Sequence, residues 1–111
     1  MRKHHDFDRK KWASMDLFNQ MGNIGSEVGR SVNALATGRS QDAEAALYRG
    51  LDLIDATLNA PAMHGYPRKQ ELARTREQFV QVYTENDQQL GRVLENYFMQ
   101  FAIVARIRQF K

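Results

Sequence analysis

Between Leu17 and Ala105 the apolar residues fall at steps of three and four, and the only two prolines of the chain, Pro61 and Pro67, stand close together in its middle. Steps of that size stack side chains on one face of an α-helix, whereas a strand needs a period of two. Proline removes a backbone donor and blocks helix continuation, so the proline-free stretches on either side are open to long helices. No Asn-Gly pair separates apolar runs, which removes the strongest hairpin signal. The pattern predicts an all-α chain.

The first predicted helix opens at Ser14 as N-cap and runs to about Thr37, where Gly38 stops it. Its apolar stripe is Leu17, Met21, Ile24, Val28, Val32 and Leu35. Gly22, Gly25 and Gly29 gather on the same surface. Glycine costs a helix about 1 kcal/mol relative to alanine. A cluster of them therefore implies a compensating gain, namely close approach of a neighbouring helix backbone. Ser40 is expected to cap a second helix over about 41–60, with Ala43, Leu47, Leu51, Ile54 and Leu58 inside. Residues 62–66 read as a loop, and Pro67 suits the first turn of a third helix over about 68–84. That helix has a weaker stripe, Leu72, Phe79, Val80 and Tyr83, with Thr75 and Arg76 where an apolar residue is expected. Asn86, Asp87, Gln88 and Gln89 read as a capping-box start for a fourth helix reaching about Gln109. This last helix is the most apolar, with Leu90, Val93, Leu94, Tyr97, Phe98, Phe101, Ala102, Val104 and Ala105, and its expected place is the centre. Short loops make neighbouring helices antiparallel, so the predicted architecture is an up-down-up-down four-helix bundle over 13–111.

The chain has 111 residues and no cysteine, enough for one core without staples and without thiolate chemistry. Its net charge of +3 has a location. Arg2, Lys3, Arg9, Lys10 and Lys11 outweigh Asp6 and Asp8 by three charges, while the remaining residues carry eleven of each sign. Residues 1–12 therefore read as a flexible basic arm on a neutral body, and such an arm is able to touch phosphate or anionic lipid. No apolar run has the roughly 18 residues of a membrane helix, and the N-terminus lacks the apolar segment of a secretion signal, so a cytoplasmic protein is expected.

Few residues suggest chemistry. His4 and His5 are adjacent in the arm and His64 lies in the loop, none at the spacing of a helical metal site. Glu-x-x-His pairs, which a di-iron bundle needs, are missing from the sequence. No metal and no cofactor is expected. Glu27 and Arg30 on the first helix, Asp55 on the second, and Arg74 and Arg76 on the third flank apolar stripes. They either pair with one another and fix helix register, or line a polar groove for an anionic or nucleotide ligand, with the two arginines on phosphate. Ser26 and Ser31 have no histidine placed as a base. Tyr97, Phe98 and Phe101 stand at helical spacing among aliphatics and read as core.

Two stretches, QMGNIGSEVGR at 20–30 and YFMQFAIVAR at 97–106, with AALYRGLDLID at 45–55 between them, resemble a family of short, uncharacterised bacterial all-helical proteins over about residues 12–107. More loosely, the helical layout is similar to the HEPN superfamily of helical bundles. That resemblance implies dimerisation and either ribonuclease activity or partnership with minimal nucleotidyltransferases. Active members carry an arginine, a polar residue, a few spacers and a histidine on a late helix. Here Arg74, Arg76, Arg92, Arg106 and Arg108 have no histidine after them, since His64 is the last. The resemblance without that motif implies a binding or antitoxin-type role.

Three readings of function follow. The first is a non-enzymatic interaction module that forms a homodimer or docks a protein partner through the glycine face or the last helix. The second is a nucleic-acid-associated protein using the basic arm and exposed arginines, with salt-sensitive binding. The third is an enzyme using Glu27 or Asp55 as a buried acid–base group.

Overall fold

Residues 7–109 are described by a computed structural model, and the regular elements among them are all helical. A short helix α1 (Arg9–Ser14) precedes four long ones: α2 (Leu17–Ala36), α3 (Ser40–Leu58), α4 (Lys69–Glu85) and α5 (Gln88–Gln109). A 3-10 turn, Pro61–Met63, lies in the α3–α4 connection.

The helix ends follow backbone chemistry more closely than the expected caps. Ser14 closes α1 and caps nothing; the carboxylate of Asp16 begins α2, Oδ1 accepting from Asn19 N–H at 2.8 Å. A carboxylate there also meets the positive end of the helix dipole. Gly38 does stop α2. Its φ of 75° lets Arg39 N–H reach the Ala34 carbonyl at 2.8 Å and Gly38 N–H the Leu35 carbonyl at 3.2 Å, a Schellman closure. Ser40 is already the first residue of α3, and Arg39 at the cap position offers no side-chain bond. Pro67 stands outside α4, whose cap position is Arg68. Asn86 ends α4 in the left-handed region at φ 51°, and Asp87 caps α5 by accepting from Leu90 N–H at 3.0 Å.

Of the basic arm expected over 1–12, residues 1–6 lie outside the described residues. The remainder belongs to the folded domain. Asp8 Oδ1 accepts from Lys11 N–H at 3.0 Å and starts α1. Trp12 is buried, its indole Nε1–H donating to Thr57 Oγ1 of α3 at 3.0 Å. An indole with an interior hydroxyl partner buries a large apolar surface and leaves no orphan donor. Gln20, fully buried on α2, ties the junction by donating from Nε2 to the Trp12 carbonyl at 2.8 Å.

The core forms where the apolar stripes meet. Met21, Ile24, Val28 and Val32 of α2 are covered by Leu47, Leu51 and Ile54 of α3, Leu72, Phe79 and Val82 of α4, and Leu94, Phe98 and Phe101 of α5. Burial of each such side chain contributes about 1.5–3 kcal/mol relative to exposure. The central helix is α2, which packs against α3, α4 and α5, in place of the expected last helix. Neighbours run in opposite numerical order: Gly22, Gly25 and Gly29 meet Ala102, Phe98 and Glu95, while Asp55 and Glu44 of α3 meet Arg76 and Tyr83 of α4.

Candidate functional site

The glycines of α2 set its distance from α5. A Cβ added at Gly25 would stand 2.6 Å from Phe98 Cβ, and one at Gly22 would stand 3.2 Å from Ala102 Cα. Two backbones come this close only where side chains are missing. At Gly29 the nearest atom is softer, the Oε2 end of Glu95 at 3.1 Å. Beside this seam a groove of about 310 Å³ opens to the surface, floored by Gly22, Gly25, Ser26 and Gly29 and walled by Glu95 and Met99.

The wall continues along α5 as a largely apolar face, interrupted by the exposed side chains of Asn96 and Gln100. Val93, Met99, Ile103, Val104 and Ile107 of α5 are each between 36% and 58% exposed. Met99, Ile103 and Ile107 are spaced by four and stack along the helix, and Val93 and Val104 lie three turns apart on an adjacent line. The apolar character of α5 thus divides in two. Leu94, Phe98, Phe101 and Ala105 face inward, and the other set faces out.

The polar residues singled out from the sequence fall into separate clusters. Glu27 is buried between α2 and α3 and accepts from Arg30 Nη1 and Arg49 Nε, each at 2.8 Å. Asp55 binds Arg76 through two bonds, at 2.6 Å and 3.1 Å, tying α3 to α4. The Asp55 carboxylate holds the Arg76 guanidinium above its ordinary range. Arg74, two residues away and so on another face of α4, is exposed and joins neither cluster. Glu27 and Arg30 therefore stand together, Asp55 and Arg76 stand together, and the five do not form one groove. Arg49, the second arginine on Glu27, was not among the expected residues.

A third cluster lies where α4 meets α5. Arg68 pairs with Glu71 and holds its carboxyl below the usual carboxylate range. The Arg68 guanidinium also lies over the rings of Tyr97 and Phe101, at 5.9 Å and 5.7 Å. The Tyr97 hydroxyl is enclosed, near Glu71 but without a hydrogen-bond partner among the described residues, and burial pushes its ionisation upward. Its ring meets Phe98 and Phe101 edge-on at 5.0 Å and 5.4 Å, while Phe98 and Phe101 are buried. These aromatics pack with the core.

His4 and His5 lie outside the described residues, and His64 is exposed after the 3-10 turn. No group of three or more His, Cys, Asp or Glu side chains able to hold a metal ion occurs among the described residues. No helix among them is long and apolar enough to cross a membrane. No protein family, curated protein or solved structure matches the chain.

Proposed function

We propose that this chain is a non-enzymatic interaction module, an antiparallel up-down-up-down four-helix bundle with α1 appended, that pairs with a second copy of itself through α5. The supporting observation is that the large exposed hydrophobic side chains among the described residues gather on α5, beside the glycine-floored groove. Contiguous apolar patches on an otherwise polar surface mark interaction sites. A two-fold homodimer needs one patch that is complementary to itself. Here the projecting Met99 and Ile103 and the shallow groove at Gly25 and Gly29 lie side by side, so a two-fold copy is able to place its projections in the other's groove.

The other readings have less to stand on. Glu27 and Asp55 are both engaged by arginines, which leaves little for acid–base work. Arg68 and Arg76 are engaged by carboxylates, which weakens a broad phosphate-binding face on α4. A HEPN-like bundle without the nuclease motif is compatible with the dimer.

Size-exclusion chromatography with light scattering on the full chain, read at protein and nucleic-acid wavelengths, tests the proposal. The expected result is a nucleic-acid-free dimer that Met99→Lys converts to a monomer of unchanged helicity. A wild-type monomer at all accessible concentrations overturns it. Co-purifying nucleic acid that high salt removes would favour the second reading instead.

A further inference from the structure

On the face of α2 turned toward α3, one buried carboxylate gathers more positive charge than it neutralises. Glu27 needs a single cation for balance, yet its two oxygens hold two guanidinium groups, those of Arg30 and Arg49. One unit of positive charge is left over. Each of these arginines spends one N–H on Glu27 and has further donors in its planar fork. Their side chains are 63% and 36% exposed, so those donors are within reach of solvent.

Both arginines line a groove of about 300 Å³ that Arg39 and Asn33 also border. Arg39 is fixed lightly, Nε donating to Thr37 Oγ1 at 2.9 Å and Nη1 to Asp42 at 3.4 Å. Asp42 lines the groove too and offsets the charge of Arg39, which leaves the surplus at Arg30 and Arg49. Ala34 and Ala45 supply small side chains that leave the space open.

We propose that this groove binds a phosphomonoester. Three guanidinium groups border the groove, and the three terminal oxygens of a phosphoryl dianion carry more charge and accept more charge-assisted bonds than the two oxygens of a singly charged carboxylate. The volume is at the small end for ligand sites, about 300–1,000 Å³, and accommodates one phosphoryl group with a small organic remainder. The Asp42 carboxylate in the same lining opposes an extended polyanion. The assignment does not depend on dimerisation, since the groove lies between α2 and α3 and the proposed dimer face lies on α5.

The test is an NMR titration of the full-length protein with inorganic phosphate, against sodium chloride at matched ionic strength. Saturable shifts of the Arg30, Arg39 and Arg49 side-chain N–H signals are expected with phosphate and not with chloride. Arg39→Gln touches only exposed partners and should weaken binding about tenfold, the loss of one charge-assisted bond. Asp42→Asn removes the opposing charge and should tighten binding, a gain that misfolding cannot mimic. Equal responses to chloride and phosphate, or affinities unchanged in both variants, would overturn the proposal. So would a single-stranded oligonucleotide without terminal phosphate that binds the groove more tightly than phosphate does, because the ligand would then be a phosphodiester backbone.

Discussion

At Gly25 the spacing of two helices is set by a methyl group that is not there. Alanine at this position would recover about 1 kcal/mol of helix propensity, but its Cβ would stand 2.6 Å from Phe98 Cβ, an atom fixed to the α5 backbone. Overpacking of that kind costs about 1–3 kcal/mol and outweighs the gain. Gly25→Ala is therefore expected to destabilise the fold. Gly29→Ala meets only the mobile end of Glu95, at 3.1 Å, and should be neutral or stabilising by up to about 1 kcal/mol. Urea denaturation of the two variants decides between them, and equal effects would mean that Phe98 yields easily. Tyr97 gives a second test at this scale. Burial raises the ionisation of its phenol in the folded protein above the value of 10.0 for a free tyrosine. Above about pH 10 the unfolded chain loses this proton while the folded chain keeps it. The contribution is thus complete below about pH 10, and stability falls as pH rises beyond it. Tyr97→Phe should flatten the fall of the urea midpoint between about pH 10 and 11, and an unchanged slope would assign the fall to another group.

A helix as short as α1 does not persist alone in water, because nucleation costs more than one or two turns return. It is held by Trp12 against Thr57. Trp12→Ala should cost about 3–5 kcal/mol, the usual range for removing a buried large aromatic. Hydrogen exchange should show loss of protection in Arg9–Ser14 before any in α2–α5; uniform loss would mean that α1 folds as one unit with the rest. This element also shows what the chain reveals on reading. The stripes Met21–Ile24–Val28–Val32 and Leu47–Leu51–Ile54 were legible because periodicity within one helix is enough to place them, and all are buried. Trp12 was hidden among basic residues whose charge suggested solvent, since its partner lies 45 residues away. Arg49 was missed for the same reason, its carboxylate being 22 residues distant. Asp16 and Ser14 both suit an N-cap by type, and local backbone geometry chose between them. On α5 the apolar residues run almost all round the helix. Periodicity therefore does not separate its inner from its outer residues: Val93 and Val104, expected among the apolar residues of a central helix, are exposed together with Ile103 and Ile107, and only the packing of α2 and α4 determines which side is covered.

For the molecule as a whole, the proposed dimer makes stability depend on concentration. If two copies fold and associate together, unfolding of the dimer releases two chains, and mass action favours the folded state as protein is added. Each tenfold rise in concentration contributes about 1.4 kcal/mol per dimer. Unfolding entropy near the midpoint is about 2.1 cal/mol/K per residue, so two chains of this length give a midpoint rise of about 3 °C per tenfold. Ile103→Lys places a charge on the outer face of α5, where the wild-type side chain is 51% exposed in the single chain. In an isolated bundle such a surface change should stay within about 0.5 kcal/mol. In a dimer it would desolvate a charge against an apolar partner, and association should fail. Thermal melts at several concentrations should show the wild-type midpoint climbing with protein and the Ile103→Lys midpoint staying flat, the two converging at high dilution. A wild-type midpoint independent of concentration would leave the apolar face of α5 without its second copy, and the homodimer proposal would fall with it.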